Sequence, residues 1–146
     1  KRKGRTIKSR TKITDFEESL SSESRQFIYN ILPKEVTLNK KIWNTFDRIT
    51  LVNNKRKERL TIDFNLTFNF EGLNIELDQL VICELKQEKA VRNSPIHSAL
   101  KINKIRPTRV SKYCIGIGLI YKHVKRNRFK QKHLKIEKIN NGIIWN

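Results

Sequence analysis

Residues 58–70 read ERLTIDFNLTFNF. Apolar side chains recur at every second position, Leu60, Ile62, Phe64, Leu66, Phe68 and Phe70, and Arg59, Thr61, Asp63, Asn65, Thr67 and Asn69 fill the places between. Alternation with period two over this length predicts a strand with one face on a core and the other face polar. It is the clearest strand in the chain.

Upstream, Leu38 to Val52 is rich in β-branched and aromatic residues (Trp43, Thr45, Phe46, Ile49, Thr50, Leu51, Val52), and Asn53-Asn54 supplies a turn, so a strand and a hairpin lead into residues 58–70. Downstream, a turn at Glu71-Gly72-Leu73-Asn74 precedes LVICELK, residues 80–86. This reads as another strand, with Glu84 and Lys86 on one face by the two-residue period and Cys83 on the opposite, core side. Three helices frame the strands. Asp15 to Leu32 carries Phe27, Ile28, Ile31 and Leu32 at helical spacing and stops at Pro33. Ser94-Pro95 opens a short helix running towards Lys104, ahead of Pro107. Ser111 caps a third, SKYCIGIGLIYKHV, although Gly116 and Gly118 keep a buried strand open as the alternative there. From Lys122 the run KHVKRNRFKQKHLKIEKI reads as a basic, solvated segment. Strands and helices in this order predict an α+β fold in one domain over residues 1–146, with no repeat or linker to divide it.

The composition narrows the function. There are 32 Lys plus Arg against 14 Asp plus Glu in 146 residues, a formal net charge of +18 that calls for a polyanionic partner. A hydrophobic fraction of 37% with seven Phe and two Trp is too rich for a disordered tail. The longest apolar run, Cys114 to Tyr121, is too short to span a bilayer. With no apolar stretch after the basic opening KRKGRTIKSRTKI, cytoplasmic residence is expected. Cys83 and Cys114 make no CxxC pair, and His97, His123 and His133 are scattered, so a zinc site is not expected.

The polar positions of the strands are selective. Arg48 shares its face with Asn44, Phe46 and Thr50, Arg59 with Asp63 and Asn65, and Glu84 with Lys86. If these strands neighbour one another in an antiparallel sheet closed into a barrel, guanidinium, ammonium and carboxylate groups line one wall suited to a phosphate chain. Arg takes phosphate oxygens bidentately, Lys supplies a point charge, and a carboxylate among cations holds a divalent metal that bridges phosphates. An ordinary cross-strand Glu/Lys ion pair explains Glu84 and Lys86 equally well. For Asp63, pairing with a neighbouring Arg outweighs a role as second metal ligand, and for Phe46 and Tyr113 core packing outweighs stacking on a base.

The order ERLTIDFNL, VICELK and RPTRVSKYCIG resembles the second half of the VTC domain, a family of the triphosphate tunnel metalloenzymes (the CYTH-like superfamily). The resemblance covers Lys41 to Tyr121 and, more loosely, KRKGRTIK. It implies an antiparallel β tunnel flanked by helices, of which this chain carries the C-terminal portion. The implied activity is that of a polyphosphate polymerase, moving the γ-phosphoryl group of ATP onto polyphosphate with Mn²⁺ or Mg²⁺. By the same resemblance Arg48, Arg59, Lys86 and Lys112 are the catalytic cations and Glu84 the metal ligand. Lys1, Lys8, Arg109 and Ser111 join the four cations in binding phosphate, Lys1 as the end of an upstream EIK-type motif. A portion of a tunnel has open strand edges, so pairing with the rest of the tunnel or with a second copy is expected. Two other readings stay in view. A related triphosphatase uses the same site with water as acceptor. A polyphosphate- or nucleic-acid-binding module accounts for the charge, although no RNP1 motif, GXXG loop or zinc finger supports nucleic acid and it gives Glu84 no role.

Overall fold

The computed structural model describes residues 8–13, 19–32, 34–35, 37–88 and 94–140. It divides into two compact units, Lys1–Asn39 and Lys40–Asn146. In the first, helix α1 (Ser22–Ile31) begins where Ser21 places its hydroxyl as acceptor for the Ser24 amide, and Glu23 lies in the first turn. Of the helix anticipated from Asp15, residues 15–18 lie outside the described residues, and α1 itself starts at Ser22 because Ser21 is an N-cap with extended backbone.

The second unit is built on an antiparallel four-stranded sheet. Strand β2 (Glu58–Phe70) is its centre. Strand β1 (Trp43–Asn53) pairs along one edge of β2. Strands β3 (Leu73–Leu77) and β4 (Ile82–Gln87) share the other edge end to end, β3 against Leu66–Phe70 and β4 against Glu58–Asp63. The β1–β2 hairpin closes through Asn53, whose side-chain oxygen accepts from the Arg56 amide, and Lys57 in the left-handed region at φ 49. The sheet is open, so the barrel expected from the strand pattern is represented by one wall. Strand β3 was not expected: the turn foreseen over residues 71–74 is confined to Glu71 and Gly72, where φ is +83, and the chain re-enters the sheet at once.

The alternation in β2 does not persist as the sequence suggests. The pairing jumps from Thr45↔Thr67 to Asp47↔Phe64, so Phe46 alone faces two residues, Asn65 and Leu66. This is a β-bulge, and Asn65 takes its left-handed place at φ 52. One extra residue reverses the parity of everything beyond it. Before the bulge Thr61 and Asp63 occupy the face that Leu66, Phe68 and Phe70 occupy after it, while Leu60, Ile62 and Phe64 lie on the other side. The expectation that all six apolar residues share one face is corrected accordingly.

That mixed face carries both core and polar groups. Over its β3 end lies a cluster of Leu66, Phe68, Leu77, Leu80, Ile115, Leu119 and Ile136, flanked by Ile42, Phe46, Ile75 and Ile82. Helix α3 (Lys112–Ile120) supplies Ile115 and Leu119, capped by Ser111, whose hydroxyl accepts from the Cys114 amide. The segment is thus a helix, and its glycines have a packing reason. A Cβ on Gly116 would collide with Ile42 and the Phe68 ring, and one on Gly118 with the His133 ring. Helix α4 (Lys130–Ile139) closes the cluster with Ile136 and His133. Its following residue, Asn140, accepts from the Gln79 amide and donates to the Glu76 carbonyl. The basic C-terminal run is therefore docked through Ile136 and His133, while most of its lysines and also Leu134 and Ile139 remain exposed. On the opposite face of β2, helix α2 (Pro95–Ile102) is tethered by its cap: the wholly buried Ser94 donates to Glu58 and accepts from the His97 amide.

Candidate functional site

The other end of the same sheet face is polar. The register sets Arg48 directly across from Asp63, Glu84 across from Thr61 and Lys86 across from Arg59. Residues directly opposed in an antiparallel pair share a face. Arg48, Arg59, Asp63, Glu84 and Lys86 therefore line one wall together with Phe46, and the bulge, by turning Leu66 onto that face, puts the wall beside the core.

Asp63 is the hub. It is 3% exposed. Arg48 donates to it twice, Nε to Oδ1 at 2.5 Å and Nη2 to Oδ2 at 2.8 Å. The ammonium of Lys112, the first residue of α3, donates to the same Oδ2. The hydrogen bonds from Arg48, chiefly, and from Lys112 hold the Asp63 carboxyl down at about 2, against the opposing effect of burial. The bond to Asp63 likewise raises Arg48, and the charge of Glu84 adds to this. Both cations also lean on one ring: Lys112 Nζ stands 3.8 Å and Arg48 Cζ 5.1 Å from the Phe46 centroid, the electrostatics of a cation over an aromatic face. Phe46 is thus both core and floor of the site.

Beside this cluster Lys86 Nζ lies 3.4 Å from Glu84 Oε1, with both side chains about half exposed. Such a pair in solvent is worth little by itself, and it leaves Glu84 accessible. Arg59 is exposed opposite Lys86, and no described residue pairs with it. Ser111 uses its hydroxyl as the α3 cap, and Arg109 stands exposed just ahead of it. Lys8 is exposed in the first unit, and Lys1 lies outside the described residues. The structure brings Arg48, Arg59, Glu84, Lys86 and Lys112 together, with Arg109 and Ser111 adjoining Lys112 in sequence.

Two expectations are corrected. Cys83 is exposed, because β4 is an edge strand with a single neighbour and its outward face is uncovered among the described residues. Tyr113 is 58% exposed rather than core. The expected pairing of Asp63 with a neighbouring arginine is present in Arg48, and Lys112 adds to it, so that Asp63 joins β1, β2 and α3 through two cations. The signal for it lay in the pairing register and in Lys112, both remote in sequence.

For a divalent cation the donor set is lean. Both oxygens of Asp63 are engaged, and the described residues hold no group of three His, Cys, Asp or Glu able to bind a metal. What remains is one accessible carboxylate, Glu84. This fits Mg²⁺ or Mn²⁺ held in the mode where one carboxylate is supplemented by substrate phosphates and water, and it does not fit a metal site made of protein alone.

No helix among the described residues is long and apolar enough to cross a membrane. Comparison with known proteins gives one match: the family model of the VTC domain aligns with residues 3–121. No curated protein and no solved structure matches the chain.

Proposed function

This chain belongs to the VTC domain family, which is associated with polyphosphate synthesis, and we propose that its second unit is a wall of a phosphotransferase site that moves the γ-phosphoryl group of ATP onto polyphosphate. The observation that carries the reading is the shared face: four cations, Arg48, Arg59, Lys86 and Lys112, surround two carboxylates of which Glu84 alone is open to solvent.

Phosphoryl transfer needs little covalent help from a protein and much positioning and charge neutralisation. Arg59 and Lys86, opposite each other and exposed, meet phosphate oxygens as they arrive. Arg48 and Lys112 present positive charge held in place by Asp63. A terminal phosphate oxygen of the acceptor attacks the γ-phosphorus while its bond to the β-phosphate oxygen breaks, leaving the nucleoside diphosphate. Under this reading the acceptor phosphate attacks directly and no enzyme-bound covalent intermediate forms. Glu84 would hold Mn²⁺ or Mg²⁺, whose charge neutralises phosphate oxygens as they come together. Under this reading residues 1–146 form the C-terminal portion of one tunnel domain, and the open edges of β1, β3 and β4 are where the rest of the tunnel, or a second copy, pairs.

The test is incubation of the full protein with ATP and Mn²⁺, followed by gel separation of polyphosphate and a parallel assay of free phosphate. A growing ladder is expected, and it should vanish in Glu84→Gln while the melting temperature stays put, because Glu84 is exposed. Phosphate release without a ladder would reassign the site as a triphosphatase. Unchanged turnover in Glu84→Gln would remove the glutamate from it.

A further inference from the structure

The resemblance treats Arg48 and Arg59 as equivalent grips on the triphosphate, but the hydrogen bonds make them different. We infer that Asp63 is a positioning residue that locks Arg48 and Lys112 against Phe46, so that Arg48 meets phosphate only through its Nη1/Nη2 edge with its charge partly offset, while Arg59 keeps both edges free and carries more of the binding. This rests on the phosphotransfer reading above.

The geometry is specific. An arginine guanidinium offers two N–H edges suited to paired contacts, Nε/Nη2 and Nη1/Nη2, and Arg48 spends the first on Asp63. The Nη1/Nη2 edge stays available to a ligand, aimed in the one direction that the Asp63 bonds fix. Lys112 gives one of its three donors to the same carboxylate and rests on the Phe46 ring. Neither cation can turn without leaving a buried carboxylate short of a partner, which is expensive. Arg59 has none of these restraints, being exposed and lacking a carboxylate partner among the described residues. The three residues of the lock come from β1, β2 and the first residue of α3, so Asp63 also fixes where the α3 N-terminus sits against the sheet. Its negative charge weakens the attraction of the wall for phosphate. A carboxylate in that place is unfavourable for ground-state binding and is explained by the order it imposes on two cations that must be in place before the transition state forms.

The consequence separates binding from turnover. In the full protein, Asp63→Asn removes the repelling charge and one acceptor, freeing Arg48 and Lys112. Inorganic tripolyphosphate should bind as tightly as in the parent or tighter by titration calorimetry, while kcat falls about 10–100-fold. A merely structural role would lower both together, in proportion to the folded fraction. Charge-conserving variants give the second arm. Arg59→Lys, which loses the fork, should weaken tripolyphosphate binding about 10-fold, and Arg48→Lys less than about 3-fold. Equal losses in the two would overturn the assignment, as would parallel loss of binding and turnover in a folded Asp63→Asn. If Asp63→Asn does not fold, the lysine pair still decides. The lock can also be read without any substrate. The Arg48 Nε–H signal in a ¹⁵N side-chain spectrum should be protected from exchange in the parent and broadened away in Asp63→Asn. A protected signal in a protein that neither binds tripolyphosphate nor turns over ATP would sink the phosphotransfer reading and leave the lock standing; an unprotected signal in the parent would refute the lock alone.

Discussion

Acidification is expected to unfasten the second unit at Asp63 before it reaches the core. The Asp63 carboxyl is held down at about 2 in the folded chain, chiefly by its hydrogen bonds from Arg48, against 3.8 for an unconstrained aspartate. At ~1.4 kcal/mol per pH unit the difference is worth about 2 kcal/mol of stability. A depressed carboxyl stabilises the fold above its unfolded value and ceases to do so as pH falls through the folded one, so this contribution is whole above about pH 4 and gone below about pH 2. Arg48 is 43% exposed on its side chain, and water around it moderates the pairing, whereas Asp63 at 4% has nowhere else to turn. The assay is urea unfolding of the parent and Asp63→Asn at intervals from pH 7 to pH 2, followed by circular dichroism. Every other carboxylate titrates in both proteins, so the gap between the two midpoints isolates Asp63. The gap should be constant from pH 7 to about pH 4.5 and should close towards pH 2. A gap that stays constant down to pH 2, or the lack of any gap at pH 7, would refute the assignment of Asp63 as an ionised hub.

Two further outcomes test how the sheet is built. Gly116→Ala drives a methyl group into Ile42 and the wholly buried Phe68 ring, and a destabilisation of about 1–3 kcal/mol by chemical denaturation is expected; an unaffected midpoint would mean that α3 does not lie on Phe68. At the bulge, Asn65→Gly should be tolerated, whereas Asn65→Val should cost about 1–2 kcal/mol because a β-branched side chain resists φ 52; equal stabilities of the two variants would argue against a left-handed residue there.

Local chemistry made the elements readable. Asn53-Asn54 closing a hairpin, Ser94-Pro95 opening α2 and Ser111 capping α3 are signals confined to a few residues, and each acts where its sequence places it. The short strand LNIEL was hidden by its neighbours, since five residues beside Gly72 read as the continuation of a turn until β2 is there to pair with them. The burial of Ile136 and His133 in the basic run was hidden too, because Leu134 and Ile139 stay exposed beside them and no clean apolar stripe emerges among four lysines in ten residues.

The candidate site was legible in its members and illegible in its geometry, and Asn65 accounts for the difference. Phe64 and Leu66 are both apolar, so the string keeps alternating through the bulge and nothing in its hydropathy marks where the faces exchange. Each face of β2 is apolar for half its length, Leu60, Ile62 and Phe64 on one, Leu66, Phe68 and Phe70 on the other. Without the extra residue Asp63 would stand on the face opposite Leu66 and Phe68, away from the helix that carries Lys112. With it, a buried carboxylate adjoins the core that anchors α3, and a lysine 49 residues downstream arrives beside an arginine 15 residues upstream. The bulge therefore turns three separate charged residues into one rigid cluster, and the wall that the resemblance describes as a row of equivalent cations divides into a fixed pair, Arg48 and Lys112, and an exposed pair, Arg59 and Lys86.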